Sequence, residues 1–343
     1  MMNAENPYAG LTPGSGPDGS SLLGFLASVG ALVSFTTIYP SKRVTLHWEQ
    51  SQGWRGRLLI DGARPGDEEV KKLHEYLTSD QNRARFELHN GQGNERYKTI
   101  TKLDLNDARS FFTKAIEATD KGDRDDLCSN YAGWFSDLLE DKYESSSKLC
   151  ALTGGSQQNF LETALHLSGF HENEKIRVAR ITDRCHIKAT LIERWEYKEP
   201  MPGCRWDAQE DRHYALRHRD PSQEHKSEGT NDHDGKVRTQ RGANRLGIEA
   251  LSVFPLIPNA KRSETPGFSY SRETGHAFTW PIWDCPLSLA AVRILVAHPE
   301  LARNSPNLAA LSPLGVSSLF RVRRIKKGKP PAQQVSFTIS QSL

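Results

Sequence analysis

The sequence predicts a mixed α+β protein. It has an N-terminal α/β region, a helical middle and a basic C-terminal region that contains a β-hairpin. Three observations carry that prediction. A nearly uninterrupted apolar run extends from Leu22 to Tyr39, short alternating segments follow it and recur near the C-terminus, and 3.6-residue apolar spacing recurs between them. The chain has 343 residues, 36% of them hydrophobic and 25% charged, so it can fill a sizeable core while carrying long polar loops.

Taken in order, residues 1–20 are rich in Gly, Pro, Ser and Asn and read as an extended arm. The 22–39 run falls at the lower limit of the roughly 20 apolar residues that a membrane span needs. It is also broken by Gly24 and Gly30 and spotted with Ser28, Ser34, Thr36 and Thr37, which favours a buried core helix and no membrane contact. Val44 to Trp48 and Trp54 to Ile60 alternate as strands, with Asp61-Gly62 as a turn. Asp67 to Leu77 places Val70, Leu73 and Leu77 on one helical face, and Ala84 to Leu88 reads as another strand. Helices are expected over Leu105–Ala118, Leu161–Phe170 and Ile176–Trp195, the first opening an acidic stretch. The composition shifts at Pro200-Met201-Pro202-Gly203, dividing 21–200 from a basic α+β region over 201–343, within which 222–235 reads as a flexible loop. A short helix over Leu287–Ala297 precedes a terminal hairpin of Val316–Ile325 and Val335–Ile339.

Charge is distributed unevenly. The overall balance is +3, but residues 1–235 carry −7 and residues 236–343 carry +10. Such a split points to an anionic partner for the C-terminal end, with nucleic acid the leading candidate. The five cysteines are odd in number and include no CxxC pair, and the first nineteen residues hold no Lys or Arg. Both features suggest a cytoplasmic protein without a disulfide framework or signal peptide.

Common enzyme signatures are missing: there is no GxxxxGK[ST] phosphate loop, no HExxH and no GxSxG. His213, His218, His225 and His233 lie among Asp207, Asp211, Asp220, Asp232 and Asp234, residue types that hold divalent metals for phosphodiester hydrolysis. A metal-dependent nuclease using the 207–234 cluster is therefore the enzymatic alternative, although the composition there is that of a solvated loop. Cys185-His186 reads as helix packing.

Two basic clusters are more informative. Arg321, Arg323, Arg324, Lys326, Lys327 and Lys329 place six cations in nine residues. On a strand, Arg321 and Arg323 share one face and Arg324 takes the other, while the lysines sit at the hairpin tip, where long side chains can grip phosphates. The central cluster interleaves Arg205, Arg212, Arg217, Arg219, Arg238, Arg241 and Arg245 with Trp206 and Tyr214, a combination suited to phosphate forks and to stacking on bases. Gly242-Ala243-Asn244 could open a helix near Arg245 and present N–H groups to an anion, and Asn244 serves equally well as an N-cap.

These same residues resemble a known family. Leu23-Gly24-Phe25-Leu26-Ala27-Ser28-Val29-Gly30-Ala31-Leu32 and Leu46-His47-Trp48 resemble the start of type I-G (formerly I-U) CRISPR-associated proteins. Arg205-Trp206-Asp207, Glu210 to Arg217 and Asp220-Pro221-Ser222 resemble that family's central signature. Gly242 to Leu246, Glu249-Ala250-Leu251, Phe254-Pro255, Trp280-Pro281-Ile282-Trp283 and Pro286-Leu287-Ser288 continue it in order. The resemblance implies a large-subunit-like, non-enzymatic component of an RNA-guided surveillance complex, or the related module attached to the helicase-nuclease. Its partners would be target double-stranded DNA, the guide RNA complex, other effector subunits and the helicase-nuclease, and no cofactor is called for. Guide pairing would read the target while the protein reads a short flanking motif. A structural adaptor that recruits the helicase-nuclease without touching DNA is the remaining alternative. Large subunits of better-known type I systems end in a helical bundle, and a basic hairpin end departs from that pattern.

Overall fold

The computed structural model describes residues 14–87, 103–104, 135–140, 143–151, 160–170, 181–200, 203–210, 238–255, 257–258, 263–327 and 334–343. Its centre is α1 (Leu22–Ile38), in which every residue from Leu22 to Phe35 is buried. Such a helix must hide its hydroxyls from an apolar surround, and it does so internally. Ser28, Ser34, Thr36 and Thr37 each donate to the carbonyl four residues earlier, at 2.7–3.2 Å. Ser21 caps the N-terminus by accepting from Gly24 N at 3.0 Å. Among the described residues no helix is long and apolar enough to cross a membrane.

α1 is enclosed on several sides. The antiparallel hairpin of β1 (Val44–Gln50) and β2 (Trp54–Ile60) pairs Val44 with Ile60 through Gln50 with Trp54. α2 (Asp67–Thr78) buries Val70, Leu73 and Leu77, as its spacing predicts. Residues 14–20 are not a free arm. Gly16 N donates to Glu193 O at 2.8 Å and Gly19 N to Trp54 O at 2.6 Å, which ties the segment along β2. The expected strand over 84–88 is also corrected. Ser79 accepts from Asn82 N and caps a short helix, α3 (Asp80–Ala84), after which Phe86 turns into the core.

The described parts of the middle hold both strands and helices. β3 (Leu103–Asp104), β4 (Phe135–Glu140) and β5 (Tyr143–Ser146) form a small sheet in the order β3-β5-β4. Leu105–Ala118 lies outside the described residues. α4 (Phe160–Leu167) matches its expected position. Of the helix expected over Ile176–Trp195, residues 176–180 lie outside the described residues, and α5 (Arg184–Ile192) begins where Asp183 caps it by accepting from His186 N at 3.0 Å. His186 Nδ1 accepts from Asp183 N in return, so this histidine does structural work.

Beyond residue 200 the chain rejoins the same core. β6 (Glu199–Pro200) pairs with β7 (Arg238–Thr239), which leads into α6 (Arg241–Ala250). α6 begins at Arg241 with Gln240 at the cap, so Asn244 is not an N-cap. Gly30 of α1 meets α6 so closely that a Cβ there would lie 1.8 Å from Leu246 O. After a small pair, β8 (Ile257–Pro258) with β9 (Ser263–Glu264), comes a five-stranded sheet. β10 (Phe268–Ser271), β11 (Gly275–Trp283), β12 (Val316–Lys327) and β13 (Gln334–Phe337) run in that order, and β14 (Gln341–Ser342) also pairs with β12. Between β11 and β12 lie α7 (Leu289–Val296) and α8 (Leu308–Leu311). The terminal hairpin is formed as expected, with Arg324 opposite Phe337.

One sheet face packs on α1. Phe25 lies 5.8 Å from Trp280 between ring centroids, and Trp48 meets Trp283 edge-on at 5.8 Å. The indole N–H groups of Trp280 and Trp283 donate to Gly19 O and Leu46 O at 2.8 and 2.7 Å, so these large rings are buried without stranded donors.

Candidate nucleic-acid interface

The outer face of the C-terminal sheet carries the candidate site. Strand register sets Ser269 beside Ala277, Ala277 beside Arg323, and Thr279 beside Arg321. These side chains therefore alternate away from the aromatic core and share a face. Ser269, Ala277, Arg321 and Arg323 floor an open groove of about 770 Å³. The β10–β11 turn, with Arg272, Glu273 and Thr274, borders it, as do Asn304, Thr338 and Gln341.

The arginines of this groove are held differently. Arg321 donates from Nε to Thr279 Oγ1 at 2.8 Å, from Nη1 to Asn304 O at 2.5 Å and from Nη2 to Arg303 O at 2.7 Å. It is half-buried, and burial draws its guanidinium below the ordinary pKa, though an arginine stays charged. Three bonds use three of its five N–H donors, which leaves a rigid fork with capacity to spare. Arg323 is exposed, and its guanidinium, like that of Arg272, makes no hydrogen bond or ion pair among the described residues. Around them stand the hydroxyls and amides of Ser269, Ser271, Thr274 and Gln341, with Glu273 the one acidic side chain at the rim. Such a surface can accept phosphates: fixed charge from Arg321, mobile charge from Arg323 and Arg272, and neutral donors between them.

Arg324 faces the opposite way, as strand alternation predicts, and donates to Lys148 O at 3.0 Å. Lys326 is exposed on β12, while Lys329 and the Lys327 side chain lie outside the described residues. Arg272, which sequence reasoning passed over, could have been found as a cation in the tight turn before Gly275 (φ 73°).

The central cluster divides. Arg212, Tyr214, Arg217 and Arg219 lie outside the described residues, as do the four histidines of the 213–233 group. Among the described residues no group of three His, Cys, Asp or Glu side chains could hold a metal. Arg205 and Arg238 are half-buried: Arg205 N donates to Glu210 at 3.0 Å and Arg238 to Lys198 O at 3.3 Å. The remainder, Trp206, Arg241, Asn244 and Arg245, are interior rather than surface-exposed. Trp206 is 1% exposed, donates to Leu149 O at 2.7 Å and lies against Gly247 of α6, where no side chain would fit. Arg241 donates to Ile181 O at 3.0 Å. The first turn of α6 cannot cradle an anion either, because Gly242 abuts His186 O of α5.

Asn244 and Arg245 anchor two buried polar networks. Asn244 accepts from Cys204 N at 2.6 Å and donates to Glu210 Oε1 at 2.5 Å and Thr239 Oγ1 at 2.8 Å. Thr239 also donates to Glu210. Burial nonetheless pushes the Glu210 carboxyl up to about 7, against the pull of Thr239, Asn244 and Arg205 N. Arg245, with 0% exposure, donates to Glu249 at 2.6 Å, to Leu77 O at 2.9 Å and to Asn82. Arg85 donates to the same Glu249 oxygen at 2.6 Å. Burial alone would raise the Glu249 carboxyl, but the two guanidiniums outweigh it and hold it below its ordinary value.

Fold and site together define a mixed α+β protein with a basic, hydroxyl-rich groove on the outer face of its C-terminal sheet. No protein-family model matches the chain, and no curated protein matches its sequence.

Proposed function

We propose that the protein is a non-enzymatic, DNA-contacting, large-subunit-like component of a type I-G CRISPR RNA-guided effector complex, acting in antiviral defence in the cytoplasm. The groove floored by Arg321 and Arg323 and bordered by Arg272 is the observation that supports it. Phosphates entering the groove displace condensed counterions, giving affinity without sequence information. The motif-reading side chains belong either to this face or to the 211–237 segment, since Arg241 and Arg245 are committed to the interior. The order of family-like segments along the chain supports the assignment to a CRISPR complex, whose other subunits and helicase-nuclease would be its protein partners.

Duplex binding by the full chain across a salt series tests the reading. The expected result is an affinity that falls steeply with salt and weakens when Arg272 and Arg323 are both changed to Ala. Tight, salt-independent association would overturn it. DNA cleavage with magnesium, manganese or zinc that His213→Ala or His233→Ala abolishes would establish a nuclease instead. Unchanged DNA affinity with failed recruitment of the helicase-nuclease would establish an adaptor.

A further inference from the structure

A second cavity, of about 260 Å³, lies on the other side of segment 338–340 from the basic groove. Its walls include Asp18, Arg55, Trp195, Tyr197, Trp206 and Asp207. Both signs of charge are built into it. Asp18 Oδ2 lies 3.7 Å from Arg55 Nη2, and Asp207 accepts from the Tyr197 hydroxyl. Arg55 Nε is buried with no hydrogen-bond partner among the described residues, a donor directed at nothing the fold supplies. Trp195 and Tyr197 meet edge to face at 6.2 Å, giving flat apolar walls beside those polar groups. Tyr197, in the wall, and Arg205, immediately before the wall residues Trp206 and Asp207, adopt φ of 47° and 62°, left-handed backbone at non-glycine positions.

The lining selects against simple ions. An inorganic cation would meet the Arg55 guanidinium, and among the described residues no three ligating side chains converge. An inorganic anion would meet Asp18 and Asp207. A neutral, planar molecule that stacks on its faces and both donates and accepts along its edge meets neither objection, and a nucleobase has that chemistry. Position gives the source. Thr338 lines both this cavity and the basic groove, and its Oγ1 accepts from Arg323 N at 2.9 Å, so the cavity adjoins the strand position that carries a groove cation.

We propose that this cavity receives an unpaired nucleobase of the strand whose phosphates lie against Arg321 and Arg323. The proposal rests on the nucleic-acid reading of the groove, but its test separates the two. Uncharged nucleosides (adenosine, guanosine, cytidine and thymidine) carry no phosphate and engage the cavity alone, so the full chain is dialysed to equilibrium against each. Ile339 lines the cavity yet is 56% exposed, so Ile339→Trp can fill the mouth without entering the core. Ser340→Tyr, at the same mouth, is the second variant should the first not fold.

At least one nucleoside is expected to bind saturably and independently of salt, and to bind about tenfold or more weakly once the mouth is filled. No saturable binding, or binding that neither variant changes, would overturn the base pocket. In that case a single-stranded oligonucleotide that still binds, and is weakened by Arg272→Ala with Arg323→Ala, leaves the groove reading standing. Nucleoside binding lost on filling the mouth, in a protein that binds no oligonucleotide, sinks the groove and overturns the proposal as stated, because no strand then feeds the pocket.

Discussion

Arg245 on α6 and Arg323 on β12 both belong to basic clusters of the sequence, yet one has no solvent exposure and the other faces open solvent. Their surroundings decide the difference. Around Arg245, a carboxylate, an amide oxygen and a free helix-end carbonyl had already been brought inside by α6, α3 and α2, and the guanidinium completes them. Around Arg323 the sheet supplies hydroxyls and another cation, and among the described residues no carboxylate pairs with it, so its charge remains available to a ligand. Arg321 stands between these cases, braced by three protein acceptors while still lining the groove. An arginine in a basic run is thus a structural tie where acceptors converge and a recognition group where they do not.

The largest expected effect comes from breaking the interior side of this contrast. Arg245→Ala leaves Glu249 buried with one guanidinium fewer and empties a cavity, and should cost about 3–5 kcal/mol by denaturant titration. The folded fraction should keep its DNA affinity. Loss of DNA binding in folded Arg245→Ala protein would erase the distinction between the two arginine sets.

Next is the carboxyl on the other side of α6. Glu210 has its pKa raised from 4.5 to about 7 in the folded protein, so the folded state holds this proton more tightly than the unfolded chain does. Its contribution to stability is full below pH 4.5, declines as pH rises to about 7, and is level above that. The swing is at most about 3 kcal/mol. Stability measured from pH 4 to 8 should lose this component in Glu210→Gln, and an unchanged profile would mean another group titrates. Arg321→Ala should cost about 1–2 kcal/mol by releasing residues 303–304 from the sheet, and should also weaken DNA binding. The smallest stability effect belongs to Arg323→Ala, within about 0.5 kcal/mol. Its signature should be a drop of about 0.9 in the slope of log affinity against log salt.

Local pattern made part of this legible. α1, the β1–β2 hairpin, α2 and the alternation that separates Arg321 and Arg323 from Arg324 all follow from runs whose period matches their structure. Residues 84–88 were misread because Ala-Arg-Phe-Glu-Leu alternates like a strand, while the cap that bends it into a helix, Ser79, lies five residues upstream. The interior placement of the central residues has a longer-range cause. Trp206, Asn244 and Arg245 look like recognition residues until their partners are known, and those partners are Leu149, Cys204, Glu210, Leu77 and Asn82, up to 168 positions away. No short-range pattern announces that α6 will be clasped between α1 and α5. Gly30, Gly242 and Gly247 mark places where backbone or ring comes close at α6.

The all-round apolar surface of α1 has a consequence during synthesis. Helix α1 leaves the ribosome well before α6 and the sheet that cover it, which begin at residues 241 and 268. At roughly 5–20 residues per second, about 10–40 seconds pass between emergence of the helix and arrival of its cover. Of the elements that pack on α1, the β1–β2 hairpin and α2 are made early in that interval and α6 at its end. The rate at which the ribosome traverses the acidic middle therefore sets how long this apolar helix waits for its cover.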